Sequence, residues 1–294
     1  MSSRISNIRR QFNRSANSYD AHAHVQRIMS DRLADSFIRW ENKGNVAGLN
    51  ILEIGCGTGT LTEFLVNRWP GASITALDIA PEMIKLAEQR VFSAEANLIG
   101  EITSDRLRFL HADVEMWAPD APMASFDLIV SNACFQWLSN PRQTLAHVRR
   151  LLRPGGMLIF TTFGPDTFYE MHKAFNEVYR ASGLEPQRHG LSFLSTNEWY
   201  NLLKESGFSS IHSECSIQRE KYASVREFLL SVKAMGASTS EAASIRGLSL
   251  RRLFSNMYKE YEDKFSLQGG VVATYDLLLL QASASRLTKN TCYC

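Results

Sequence analysis

A doubly wound α/β fold is predicted by three observations. Strand-length apolar runs alternate with amphipathic helix-length segments between Leu49 and Thr162, the first run ends on a glycine-rich turn, and Pro154-Gly-Gly156 separates the last helix of that series from its last strand. Such alternation needs crossover connections, hence mostly parallel strands covered by helices on both faces. In order, Ile5, Ile8, Phe12, Ala16, Tyr19 and Ala23 recur at steps of three and four and define one face of a first helix. A second, Asp20 to Trp40, carries Val25, Ile28, Met29, Leu33 and Phe37 in register and is broken at Asn42-Lys-Gly-Asn45. The core series then reads strand Leu49 to Ile54, helix Thr60 to Trp69, strand Ser73 to Leu77, and helix Pro81 to about Ala94, with the proline at a first helical position. Strands Leu107 to Leu110 and Phe126 to Ser131, helix Arg142 to Leu152 and strand Met157 to Thr162 complete it.

Beyond Thr162 the alternation loosens. An amphipathic segment, Phe168 to Tyr179, and a polar loop, Ala181 to Gly190, read as an insertion. Thr196 is expected to cap a helix over Asn197 to Ser206, ended by Gly207. Strand Ile211 to Ile217, helices Val225 to Met235 and about Leu248 to Phe265, and strand Val271 to Leu280 follow, with an antiparallel edge pair expected at the end. The organisation expected is one domain over 1–294: a helical lid (1–45), a ligand-binding core (49–162), a substrate cap (163–208) and a C-terminal part of the sheet (209–281).

With 294 residues, 45% of them apolar, the chain can bury a large core, and a formal net charge of +2 does not call for nucleic acid. No apolar run reaches the roughly 18 residues of a membrane span. Cys56, Cys134, Cys215, Cys292 and Cys294 lack zinc-site spacing, so a reducing, cytoplasmic setting without disulfides or metal is expected. Arg4, Arg9, Arg10 and Arg14, with no acid before Tyr19, have the composition of a transit peptide. Their spacing against the apolar face favours a folded helix instead.

The turn Glu53-Ile-Gly55-Cys-Gly57-Thr-Gly59 joins a strand to a helix, where backbone N–H groups converge on a ligand. A carboxylate ahead of the glycines opposes a pyrophosphate and suits a ligand bearing an ammonium and a sulfonium. Asp78, 23 positions after Gly55 and at the end of the next strand, can accept both hydroxyls of a ribose. Asp113 ends the third strand and can accept from an adenine amine, with Ile79 and Met83 as apolar faces for the ring. Each carboxylate taken alone also reads as a helix cap or a solvated loop residue.

In this order, the glycine loop, Asp78, His111-Ala-Asp113, Phe126-Asp-Leu-Ile-Val130 and Leu152-Arg-Pro-Gly-Gly156 resemble the successive motifs of class I S-adenosylmethionine-dependent methyltransferases. The resemblance implies a Rossmann-like, seven-stranded, mostly parallel sheet. It also implies S-adenosyl-L-methionine held by Glu53, Gly55, Gly57, Gly59, Asp78, Ile79, Met83, Asp113, Val114 and Asn132. Further stretches, Phe12-x-x-x-Ala16-x-x-Tyr19-Asp20, Ser131-Asn-Ala-Cys-Phe-Gln-Trp137, Thr161-Thr-Phe-Gly-Pro-Asp-Thr-Phe168 and Leu229-Leu-Ser-Val-Lys-Ala-Met-Gly-Ala237, are similar to the malonyl-acyl carrier protein O-methyltransferase family. That family methylates a malonyl thioester on the way to biotin.

What this resemblance implies is an acceptor carboxylate on acyl carrier protein or coenzyme A, a monomer, and no nucleic acid or membrane partner. Tyr19, Gln136 and Trp137 would then shape the reaction site, and Phe163, Phe168, Lys233 and Arg153 the substrate side. Tyr19 reads either as a packing residue or as a lid hydroxyl. Trp137, Phe163 and Phe168 read either as core or as pocket, and Lys233 either as a malonyl contact or as a snorkelling surface lysine. Arginines Arg149, Arg150 and Arg153, or those of the first helix, read as a solvated face or as a surface steering an acidic carrier. Rival readings are a small-acid carboxyl methyltransferase of the trans-aconitate type, a protein hydroxylase or assembly factor on the same fold, and a cofactor-binding module without turnover.

Overall fold

A computed structural model describes residues 3–41, 48–93, 106–236 and 250–284. The expected break at Asn42 to Asn45 and the cysteines Cys292 and Cys294 lie outside the described residues. The elements are α1 (Ser3–His22), α2 (His24–Glu41), β1 (Asn50–Ile54), α3 (Thr60–Arg68), β2 (Ser73–Asp78), α4 (Pro81–Phe92), β3 (Leu107–His111), α5 (Val114–Trp117), β4 (Phe126–Ser131), α6 (Pro141–Leu151), β5 (Leu152–Phe163), α7 (Tyr169–Ala181), α8 (Thr196–Glu205), β6 (Phe208–Tyr222), α9 (Val225–Ala234), α10 (Leu250–Phe265), β7 (Ser266–Leu267) and β8 (Gly270–Ala284). They fall into two compact units, one of residues 26–162, 196–214 and 279–294, the other of residues 1–25, 163–195 and 215–278.

The first unit holds the parallel sheet. Strand order is β3-β2-β1-β4-β5-β8-β6, with β7 paired off this path to β8. The pairs β1–β2, β1–β4, β2–β3 and β4–β5 are all parallel, as the alternation requires, and β7–β8 is antiparallel. Because successive side chains point to opposite faces, Leu128, Val130 and Ile159 join Ile51, Ile74, Leu65 and Phe37 in one core, where the Phe37 ring lies 5.2 Å from Trp69 and 6.0 Å from Phe64. Residues of opposite parity serve the other face. There Phe160 stacks on Phe135 at 4.5 Å and meets Trp199 of α8 edge-on at 5.2 Å.

Local chemistry sets the element ends. Pro141 opens α6 behind Asn140, whose side chain accepts from the Gln143 N–H. Ser224 caps α9 by accepting from the Glu227 N–H, and the Glu227 carboxylate reaches back to accept from the Ala223 N–H. Thr196, expected as a cap, is instead the first residue of α8. Two strands run well past their expected lengths. β6 alternates half-buried and exposed positions over 15 residues, too weak an apolar signal to read in full, and β8 is 15 residues long.

The second unit is built on aromatic rings. Phe168 meets Phe228 and Tyr275, both at 5.2 Å, and Tyr261 donates to the Val272 carbonyl at 2.7 Å. α1 docks on α9 through Ser18 Oγ, which donates to the Ala234 carbonyl at 2.9 Å. A Cβ on Gly236 would come within 2.7 Å of Ser15 and 3.2 Å of Phe12, so glycine is needed for that approach.

One expectation is corrected here. Arg153 does not sit on the substrate side of the sheet. Its guanidinium pairs with Asp127 at 2.6 Å and meets the Asn50 side-chain oxygen, and both partners lie at the amino ends of their strands. Parallel strands carry their ligand loops at the opposite, carboxyl ends, a full strand length away. Both charges keep solvent contact, at 41% and 27% exposure, so the pair contributes about 1 kcal/mol or less. A double-mutant cycle of Arg153→Met and Asp127→Asn, followed by urea unfolding, is expected to return a coupling of that size. Substrate KM is expected to stay at the native value in both single variants.

Candidate active site

The carboxyl ends of β1, β2, β3 and β4 bring together most of the ligand-binding residues read from the sequence. The glycine turn after β1 is fixed from several sides. Gly55, Gly57 and Gly59 all have positive φ, at 76°, 54° and 86°. A Cβ on Gly55 would meet Cys134 Sγ at 2.5 Å, and one on Gly59 would meet the α4 backbone at Ala87 Cα, 2.8 Å away. Gly57 differs. Nothing lies within 4 Å of its would-be Cβ, so that side of the turn is open to a ligand.

Side chains hold the turn as well. Asp78 Oδ2 accepts from the Gly57 N–H at 2.9 Å and Oδ1 from the Ala80 N–H at 2.8 Å, while Arg90 donates to the Thr58 carbonyl. Burial raises the Asp78 pKa against the opposing pull of those amides. Glu53 is buried at 1% exposure and accepts from Thr62 of α3 at 2.6 Å. Desolvation pushes its carboxyl up to about 8; the Thr62 hydroxyl opposes this and the Asp78 charge adds to it.

Asp113 caps α5 through Oδ1, which accepts from the Glu115 N–H at 3.0 Å. Its Oδ2 is buried without a hydrogen bond, and burial raises this carboxyl too. Ile79 keeps a half-buried face, Val114 is buried, and Met83 is packed away at 1% exposure. Of the two apolar side chains read as ring contacts, only Ile79 therefore keeps an accessible face.

The segment after β4 is locked from within. Ala133 adopts a left-handed φ of 48°, held by its N–H on Thr161. Asn132 donates to the Gln26 carbonyl at 3.0 Å and accepts from Thr161 Oγ1 at 2.6 Å. Gln136 donates to the Ala133 carbonyl at 2.7 Å and accepts from Thr162 Oγ1 at 3.1 Å. Trp137 ends the single 3-10 turn here, half-buried.

The remaining sequence-derived residues belong to the other unit. Phe163 lies 6.1 Å from Tyr275 and 5.8 Å from Phe193, and Phe168 takes a left-handed φ of 62° as it opens α7. That turn explains the Phe-Gly-Pro-Asp-Thr-Phe stretch. A Cβ on Gly164 would strike the Asp276 carboxylate, the Gly164 N–H donates to the Asp276 carbonyl, and the Phe168 N–H donates to Thr274. Tyr19 is half-buried on α1 with its ring 6.5 Å from Phe12, and Lys233 is exposed near the end of α9.

A methyltransferase-domain family model matches residues 21–213. Over 276 residues the chain is 60% identical to the malonyl-[acyl-carrier protein] O-methyltransferase of Paenibacillus sp. (strain JDR-2), covering 94% of this chain and 97% of that one. The chain belongs to that methyltransferase family. Among solved structures, YcgJ of Bacillus subtilis shares the fold at a TM-score of 0.54 and 16% identity, covering 82% of this chain and 93% of that one. Haemonchus contortus phosphoethanolamine N-methyltransferase 2, solved with S-adenosyl-L-methionine, does so at 0.51 and 15%, covering 86% and 53%.

S-adenosylmethionine is the cofactor of this family, and the residues present fit it. An orphaned carboxylate oxygen on Asp113 and an open face at Gly57 are an acceptor and space without an internal use, and Glu53 is a buried acid whose side chain accepts from Thr62. Sequence reading missed residues that hold the turn and the segment after β4: Cys134 behind Gly55, Thr62 on Glu53, and the Thr161-Thr162 pair on Ala133, Asn132 and Gln136. Two hydroxyls ending an otherwise apolar strand were the available signal.

Two outcomes follow from this geometry. Gly57→Ala is expected to cost only left-handed backbone strain, about 1–2 kcal/mol, yet to weaken cofactor binding at least tenfold in calorimetry; Gly59→Ala should lose more stability, because α4 must also move. Glu53, raised to about 8, is protonated in the ligand-free chain at neutral pH, so its stabilising effect is present at low pH and fades as pH rises through that value. An ammonium ligand favours the ionised form. Cofactor affinity is therefore expected to increase between pH 6 and 7.5 with proton release on binding, and Glu53→Gln should remove both; a flat native profile would reduce Glu53 to a brace for Thr62.

Proposed function

We propose that this chain transfers a methyl group from S-adenosylmethionine to the free carboxylate of a malonyl thioester carried by acyl carrier protein. The observation that supports this most is near-complete coverage at 60% identity to a relative of that name. The binding site at the carboxyl edge of the sheet, with its spare acceptors, agrees with the donor half of the reaction.

The bound cofactor supplies an electrophilic methyl on a sulfonium. A carboxylate is already ionised near neutral pH, so no general base is asked of the protein. What the chain's residues must do is align the nucleophile and exclude water, because anion and sulfonium charges disappear as the methyl moves. Asp78 is proposed to hold the ribose, Asp113 the adenine amine, and Ile79 and Val114 the ring. Asn132 and Gln136, whose amides are spent on Gln26, Thr161, Thr162 and Ala133, position the segment after β4. Tyr19 and Trp137 are proposed on the acceptor side, with Phe163 and Phe168 as apolar walls. A malonyl group on coenzyme A, which ends the same phosphopantetheine arm in a nucleotide instead of a protein, is the secondary acceptor, and the working unit is a monomer.

Among the described residues no helix is long and apolar enough to cross a membrane, and no cluster of side chains could hold a metal ion. Methyl transfer to malonyl-acyl carrier protein, malonyl-CoA, malonate and trans-aconitate tests the reading directly. Activity is expected in that order, and transfer to free acids alone would overturn it. Tyr19→Phe is expected to lower kcat about tenfold while cofactor affinity stays within about twofold of native.

A further inference from the structure

We propose that the side-chain amide of Gln26 binds the α-ammonium of S-adenosylmethionine, its Oε1 accepting from that group. The inference rests on the donor half of the reading above and is independent of the acceptor.

Gln26 Oε1 is buried without a hydrogen bond. A buried oxygen without a donor is costly, and a protein keeps it where a ligand supplies the donor. The main chain of the same residue is tied to the edge of the glycine turn. Its carbonyl accepts from Asn132 Nδ2 at 3.0 Å, Asn132 directly follows β4, and the preceding Ser131 donates from Oγ to the Ile54 carbonyl at 2.8 Å. Two residues beyond Asn132, Cys134 closes on Gly55. The segment after β4 therefore runs along the glycine turn, and Asn132 ties Gln26 to it. All of these residues belong to the unit that holds the parallel sheet.

Helix periodicity sets the direction of the side chain. Gln26, Ser30, Leu33 and Phe37 stand at steps of four, three and four, so they share one face of α2. Ser30, Leu33 and Phe37 are buried, and the last two join Ile51 of β1, Cys56 of the turn and Leu61 of α3 in one core. Gln26 thus lies on the face turned to β1 and α3. Its height is fixed by the other end of the helix. Phe37 packs at 5.2 Å on Trp69, which follows α3 and precedes β2 at the amino edge of the sheet. Three turns earlier, Gln26 lies roughly 16 Å back along the helix, the length of a five-residue strand, and so at the carboxyl edge beside the turn.

Asn132, the amide expected at the cofactor, has its Oδ1 engaged by Thr161 and its Nδ2 by the Gln26 carbonyl. Gln26 holds the spare acceptor. Sheet order decides which donor of the cofactor meets it. In β3-β2-β1-β4, Asp78 and Asp113 end strands on one side of β1, and Asn132 follows the strand on the other. A cofactor with its ribose on Asp78 and its adenine amine on Asp113 therefore extends its amino-acid end across the turn toward Asn132 and Gln26. An amide suits that position better than another acid. Glu53 and Asp78 are already raised by burial, and a further carboxylate would be raised in turn, whereas an amide supplies an acceptor without charge.

Calorimetry on the full chain with three ligands tests this without any methyl transfer: S-adenosylhomocysteine, its analogue lacking the α-amino group, and 5′-methylthioadenosine, which lacks the amino-acid end altogether. The native chain is expected to bind S-adenosylhomocysteine at least about tenfold more tightly than the deaminated analogue. Gln26→Met, which keeps the length of the side chain and removes the acceptor, should weaken S-adenosylhomocysteine at least about fivefold and leave the other two ligands within about twofold of native. Equal weakening of all three, the result of a merely structural role through Asn132, overturns the assignment. So does undiminished affinity for S-adenosylhomocysteine, a loss shared by the deaminated analogue, or a native chain indifferent to the amino group. If Gln26→Met does not fold, Gln26→Asn, which draws the oxygen back by one methylene, is held to the same pattern and overturned by the same results. Methyl transfer is scored apart: failure to methylate a malonyl thioester refutes the proposed acceptor, and the ligand pattern alone decides the role of Gln26.

Discussion

The conformation of one seven-residue turn, Glu53 to Gly59, is what the proposed donor site depends on, and it is held by contact rather than by its own preference. Asp78 accepts from the amide of Gly57, Cys134 closes on Gly55, and α4 closes on Gly59. These neighbours come from β2, from the segment after β4 and from a helix, so the turn can exist only once the parallel sheet has formed. The same closeness buries Glu53 and Asp78 together and raises both carboxyls. Burial of acids with unspent acceptor capacity is tolerable in a protein that meets a cationic, hydroxyl-bearing ligand there.

The second unit follows a different physical rule. Its rings pack against one another rather than as aliphatic layers, Phe168 edge-on to Phe228 and Tyr275 and Phe163 tilted against Tyr275, and its polar contacts secure turns: Asp276 around Gly164 and Glu170 on Thr274. Short motifs that look catalytic in a sequence are here architectural. Gly236 lets α1 approach α9, and Gly164 leaves room for a carboxylate. Such residues fix where the aromatic rings of this unit stand.

Legibility varied with the range of the interaction. Parallel pairing of β1 to β5, the glycine turn and the acids at strand ends were readable because period-two and period-3.6 patterns and turn chemistry are local. β6 was underread because an alternating edge with exposed polar residues carries little apolar signal. Arg153 was misplaced because its motif neighbours lie close in sequence while the strand it begins runs the full depth of the sheet.

By itself, then, the sequence determined the fold class, the glycine-rich strand-to-helix turn and the family, because each is written in residues near one another along the chain. Tertiary structure alone decided which acids are buried enough to be raised, which glycines are forced by their neighbours and which keep an open side. Those are properties of solvent exclusion and close approach, and they arise only when distant segments meet.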